Sequence, residues 1–145
     1  MPKEHFKVFA AVHLFLMKDG EVLLSQRCNT GYCDGMYSVP AGHLDGGETA
    51  TAAMIREAQE EIGIVLKNED MRMACITHTL DGRETVSFFL KAEKWEGEIT
   101  NMEPEKCSDL SWFPIDALPE NTIPYVRHAL ECVQNGITYS EFGWE

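Results

Sequence analysis

The chain has 145 residues, the length of one domain, and its 44% hydrophobic and 25% charged content argues against disorder, collagen-like repetition or a disulfide scaffold. Lys and Arg number 12 against 24 Asp and Glu, and the resulting net charge of −12 excludes a non-specific binder of duplex nucleic acid or of an anionic membrane. An enzyme that meets small anions through bound cations stays within that limit.

Phe6 to Met17 and Glu21 to Arg27 read as two strands joined by Asp19-Gly20, a strong hairpin signal. Within the first, Val8 to Met17 is apolar, but His13 interrupts it, Glu4 precedes it and no small-x-small cleavage site follows, so a buried strand is expected rather than a targeting segment. No run reaches the roughly 18 apolar residues of a membrane span. Cys28 to Gly35 is a loop rich in Asn, Gly and Asp, and Met36 to Pro40 leads into Gly42-His43-Leu44-Asp45-Gly46-Gly47. A helix is predicted from Thr49 to Ile62 with Gly63 as its left-handed stop. Met71 to Leu80 and Glu84 to Ala92 form a second hairpin around Asp81-Gly82, and Ile123 to Gln134 is helical, ending at Asn135-Gly136. Strands on both sides of a helix, with antiparallel hairpins, indicate one mixed α/β sandwich over residues 1–145 rather than a parallel doubly wound sheet. The five cysteines, Cys28, Cys33, Cys75, Cys107 and Cys132, contain no C-x-x-C pair, so reduced thiols in a cytoplasmic protein are expected.

The chemistry concentrates in the first helix. Glu57, Glu60 and Glu61 fall at i, i+3 and i+4 within one arc, while Ala52, Ile55, Ala58 and Ile62 are expected to form a core stripe on the opposite side. That places the carboxylates away from the interior. Like charges at this spacing repel, and Arg56 is the only base on the helix. A hard divalent cation is the natural neutraliser, with a solvated acidic face as the plain alternative. Gly42, Gly46 and Gly47 favour the cation, since a close-packed glycine loop can offer a backbone carbonyl to metal or amides to an anion. Glu48 is expected to begin the helix, where the macrodipole favours its charge.

Gly42, Glu48, Arg56-Glu57, Glu60-Glu61, Gly63 and Ile64 stand at every fixed position of the signature of the Nudix hydrolases, and the chain resembles that family. The one departure is Ala58, small where a larger aliphatic residue is usual. Length and element order extend the resemblance to the whole domain and imply a Nudix-type α/β/α sandwich. The resemblance further implies metal-dependent hydrolysis of a diphosphate linkage in a nucleoside diphosphate joined to a group X. Cations must neutralise such a polyphosphate before water can attack phosphorus. By the same resemblance Glu57, Glu60, Glu61 and the Gly42 carbonyl are metal ligands for Mg²⁺ or Mn²⁺. Arg56 orients the carboxylates, or is a structural salt bridge alone, and Glu48 supports them.

The general base of MutT-like members follows a Trp-Glu-Gly-Glu segment, which here is Trp95-Glu96-Gly97-Glu98; Glu103 then takes that place, with Glu105, Glu48 and Glu57 as competitors. Between Ile64 and Asp81 there is neither the proline of ADP-ribose members nor the tyrosine of dinucleoside polyphosphate members, and the coenzyme A motif is missing. A nucleoside triphosphate pyrophosphohydrolase giving a monophosphate and pyrophosphate is therefore the expected activity. Removal of pyrophosphate from RNA 5′ ends, hydrolysis of ADP-ribose or a nucleotide sugar, and a non-catalytic nucleotide sensor are the alternatives.

Asn121 resembles the asparagine with which MutT proteins read a purine edge, with an N-cap for the second helix as the competing role. Tyr32, Tyr37, Phe88 and Trp112 are candidate stacking partners for a base. Arg27 and Arg83 are candidate phosphate contacts, as is His43 in the signature loop. His13 alternates with apolar neighbours and is placed to face the substrate, and the Tyr139 to Trp144 tail is aromatic enough to cover a pocket or an interface. The expected partner is a small-molecule nucleotide, with no duplex nucleic acid and no membrane.

Overall fold

The computed structural model describes residues 3–145. Strands β1 (Phe9–Lys18) and β2 (Glu21–Arg27) form the first hairpin, and Asp19 and Gly20 both take positive φ (53° and 77°), as a tight turn matched to strand twist requires. The short strands β3 (Tyr37–Ser38) and β4 (Ala41–His43) follow, then helix α1 (Ala50–Ile62). Strands β5 (Met71–Asp81) and β6 (Arg83–Ala92) make the second hairpin. After β7 (Cys107–Pro114) and α2 (Pro124–Gln134), β8 (Tyr139–Phe142) completes the sheet. Neither β7 nor β8 is among the strands expected from sequence.

The sheet order is β3-β2-β1-β6-β5-β8, with β4 added to β1 and β7 to β2. Two pairings are parallel, β1 with β6 and β5 with β8. A helix lies in each of these connections, and the two helices pack on opposite faces. Met54, Ala58 and Ile62 of α1 join Val12, Leu14, Leu16 and Leu90 in one core; Val126, Ala129 and Leu130 of α2 join Phe15, Phe89 and Cys75 in the other. This is the α/β/α sandwich with a mixed sheet.

Helix α1 begins where the sequence places it. Thr49 is the N-cap, its hydroxyl accepting from the Ala52 amide at 3.0 Å, and Gly63 closes the helix at φ 71°. Its buried stripe, however, is Ala53, Met54, Ala58 and Ile62; Ala52 is exposed and Ile55 half-buried. The helix is rotated by roughly a quarter-turn from the expected orientation, at 100° per residue. Glu57 and Glu61 therefore flank the buried side instead of pointing away from it. Glu48 lies just before the cap, outside the first turn. No helix among the described residues is long and apolar enough to cross a membrane.

Candidate active site

The rotation of α1 sets its acidic turn against β4. A Cβ at Gly42 would lie 2.2 Å from the Glu57 carboxyl carbon, so any other residue here would displace the Glu57 side chain from β4. Gly46 and Gly47 have nothing within 4 Å, and their role is the turn, not close packing. Beside Gly42, the Ala41 amide points at Glu61 Oε1 at 3.4 Å. Burial first, and then the adjoining Glu57 carboxylate, push the Glu61 carboxyl up to about 9.

Arg56 holds the rest of the cluster. Its guanidinium donates to Glu48 at 2.7 Å and to Glu57 at 2.7 Å, with Asp45 and Glu60 at 3.4 and 3.7 Å. The hydrogen bond to Arg56 holds the Glu48 carboxyl below its ordinary range, so a side-chain partner fixes Glu48 just ahead of the helix. Glu60 is the exposed member, more than half accessible.

Glu103 comes from a distant loop that α1 itself secures. The Thr100 and Met102 amides donate to the Ile62 and Glu61 carbonyls at 2.9 and 3.1 Å, satisfying acceptors that a helix end leaves free. Val65 and Glu96 exchange two backbone hydrogen bonds, and Trp95 stacks on Trp112 with ring centroids 6.0 Å apart. Glu103 thereby lines the same cavity, about 520 Å³, as Glu57, Glu60 and Glu61, with Lys106 at its edge. Glu105 lies outside it, and its carbonyl is used by the Asn29 amide.

Among the described residues no three His, Cys, Asp or Glu side chains close on a common point, because Arg56 draws Glu57 and Glu60 along the helix while Glu61 turns under β4. The donor set nevertheless fits a hard divalent cation. Its oxygens share one helical turn, a Cβ is excluded beside them, and Glu61 carries crowding that a bound cation relieves. Glu57, Glu60 and Glu61 would hold it, while Gly42 is paired with Val12 across β4 and β1.

A second cavity of about 710 Å³ opens on the α2 face and shares Arg27 and Ala41 with the acidic one. Its rim carries Arg27, His43 and Arg83; Arg83 hydrogen-bonds His43 and lies over the Phe9 ring at 3.9 Å. Burial and the Arg83 charge lower the His43 pKa, favouring neutral imidazole. Tyr32 and Tyr125 wall the cavity, and Tyr32 reaches Asp81 at 3.3 Å across its mouth.

Other candidates lie elsewhere. The Tyr37 hydroxyl donates to Asp109 at 2.6 Å, which with burial raises its pKa to about 12, and its ring packs edge-on against Phe113. Phe88 and Trp112 pack against the α1 core. The Asn121 amide donates to the Gly35 carbonyl at 2.8 Å and lines neither cavity. It is not the cap of α2 either, since Ile123 occupies that position without a side-chain cap. Trp144 in the tail donates to the His78 carbonyl at 2.9 Å and fastens β8 to the sheet. All five cysteines are free thiols.

Tyr125, Thr79, Thr85 and Ser87 line the larger cavity without having been singled out in the sequence. The available signal was the run of Thr and Ser at alternate positions of β5 and β6, on the face that should otherwise be apolar.

The family model described as "NUDIX domain" matches residues 7–131. An NAD-capped RNA hydrolase of Chromobacterium violaceum is 32% identical over 84% of the chain, and the match spans 46% of that protein. The chain thus spans less than half the length of this relative. An 8-oxo-dGTP diphosphatase of Escherichia coli is 27% identical over 83% of the chain and 94% of its own length. The crystal structure of a MutT NUDIX hydrolase from Burkholderia pseudomallei superposes with a TM-score of 0.80 at 29% identity, covering 87% of this chain and 98% of that one.

Proposed function

This chain belongs to the Nudix hydrolase family, and on that premise we propose that it is a Mg²⁺-dependent pyrophosphohydrolase of free nucleotides, converting a nucleoside triphosphate to the monophosphate and pyrophosphate. Mn²⁺ is the alternative cation, and the 8-oxo-dGTP diphosphatase among its relatives brings damaged nucleotides within the substrate class. The observation that carries the reading is the crowded Glu57–Glu61 turn under Gly42, opening beside a cavity large enough for a nucleoside. When bound there, a divalent cation neutralises the polyphosphate and activates water. Arg56 positions Glu57 through a charge-assisted hydrogen bond and Glu60 through a longer ion pair, and Arg27, at the junction of the two cavities, faces the phosphates. His43 and Arg83 complete the cationic rim. Glu103 is the base that accepts a proton from the attacking water, since it alone of Glu103 and Glu105 faces the acidic cavity.

Product chromatography after incubation with a nucleotide panel and Mg²⁺ tests the reading. Monophosphate and pyrophosphate are the expected products, and Glu60→Gln is expected to lose nearly all turnover while remaining folded. Absence of turnover with tight, reversible nucleotide binding would make the chain a sensor. Glu103→Gln is expected to lower kcat about 100-fold or more, the range of general-base catalysis, with metal affinity unchanged; a fall of less than about tenfold rejects the assignment. The similarity to NAD-capped RNA hydrolases supports a second reading, cleavage of a 5′-capped RNA end, which the charge of −12 opposes; a capped oligonucleotide belongs in the same panel.

A further inference from the structure

We propose that His13 and Thr79 determine specificity for the nucleoside end of the substrate, reading the uncharged donor–acceptor edge of a heterocyclic base from the floor of the larger cavity. The proposal rests on the nucleotide-hydrolase reading and names the groups that would recognise the part of the substrate that is not phosphate.

The floor is formed by β1, β6 and β5, whose residues His13, Ser87, Thr85 and Thr79 share the α2 face. Helix α2 covers the neighbouring stretch of that face, where the side chains are Phe15, Phe89 and Cys75. The side chains become polar where the helix cover gives way to the cavity. His13 is 4% exposed and Thr79 5%, and neither ring nitrogen of His13 nor the Thr79 hydroxyl has a hydrogen-bond partner. Two residues earlier on β5, the equally buried Thr77 hydroxyl is paired with Ser140 at 2.9 Å. Unsatisfied buried polar groups are destabilising and rare, and here His13 and Thr79 both line one cavity.

The chemistry of the floor selects the ligand. Burial lowers the His13 pKa to about 3, so the imidazole is neutral and offers one donor and one acceptor; a hydroxyl offers both. Such groups match a neutral ring carrying adjacent C=O and N–H groups and have no charge with which to hold a phosphate. The positive groups, Arg27 and Arg83, stand at the rim instead. The Phe89 ring fixes the imidazole plane from one side at 4.5 Å, and Tyr125 meets it edge-on at 5.6 Å. A site with fixed polar groups rejects analogues that leave those groups unpaired far more strongly than an apolar site does.

Thr79→Val removes the hydroxyl at constant shape, and His13→Phe keeps the stack on Phe89 while removing both nitrogens. Metal-free protein is titrated calorimetrically with nucleoside 5′-monophosphates and, separately, with inorganic pyrophosphate. Each variant is expected to weaken binding of the preferred monophosphate about tenfold or more, with pyrophosphate affinity within about twofold of wild type. In turnover, KM should rise by a similar factor while kcat is nearly unchanged. Thr79→Val should melt no lower than wild type, because it deletes an unsatisfied group; this variant carries the test if His13→Phe does not fold. Addition of the monophosphate should also shift the imidazole ¹⁵N resonances of His13. Wild-type monophosphate affinity and KM in Thr79→Val, with normal nucleotide hydrolysis, would overturn the inference and leave the pyrophosphohydrolase reading standing, the polar floor then being served by water. A wild-type protein that hydrolyses no nucleotide and binds no monophosphate would overturn both.

Discussion

At Gly42 a single hydrogen atom stands where any other residue would place a carbon against Glu57. Gly42→Ala must push the Glu57 carboxylate away from β4 or separate strand and helix. Because a displacement of about 1 Å at a reacting centre costs about 100-fold, kcat is expected to fall by that order while circular dichroism stays that of the native fold. His13 supports a prediction of a different kind. Its folded pKa of about 3 lies below the unfolded value of 6.5, so between these pH values the unfolded chain binds the extra proton. Stability from this residue is fully present above pH 6.5 and is lost as pH falls toward 3, on the order of 5 kcal/mol at 1.36 kcal/mol per pH unit. Urea unfolding of His13→Phe across that range should show a correspondingly shallower decline than wild type. The signature residues were legible individually because their spacing is fixed. The partners of Asn121 and Tyr37 were not, since those depend on Gly35 and Asp109, brought close only by the sheet and its loops.

Helix α1 shows both what a local pattern specifies and where it stops. Its ends follow from Thr49 and Gly63, because capping is a matter of adjacent residues. Thr49→Ala should cost about 1 kcal/mol in chemical denaturation and leave KM unchanged, as the cap lies at the far end from the acidic turn. The expected orientation of the helix differs from the observed one because the sequence reading sets all three glutamates together away from the interior, whereas β4 and the 95–103 loop enclose two of them. Both hairpins were visible through their Asp-Gly turns. Strand β7 was not, because Ser108, Asp109 and Ser111 blur its alternation and its pairing with β2 is long-range. Strand β8 is short and polar, and its partner β5 lies some sixty residues upstream in a parallel pairing that no local turn announces.

Across the whole molecule, the two parallel pairings divide the work. The β1–β6 pair supplies Ala11, His13, Thr85 and Ser87 to the larger cavity, and the β5–β8 pair secures the strand that brings Thr79 beside them. Truncation before Tyr139 would expose the backbone of Ile76 to Thr79 and strip Thr77 of its Ser140 partner. Such a protein is expected to have a lower urea midpoint and to scatter light on standing, as an unprotected sheet edge recruits other chains. It should also bind nucleoside monophosphate more weakly, since Thr79 lies in the unsupported segment. The overall layer architecture was recoverable from element order because so few packings bury one face of each element. That β5 is sealed by the most C-terminal strand of the sheet has a consequence for biosynthesis. Synthesis from the N-terminus supplies every other strand of the sheet before β8, so that margin is the last to be offered its partner.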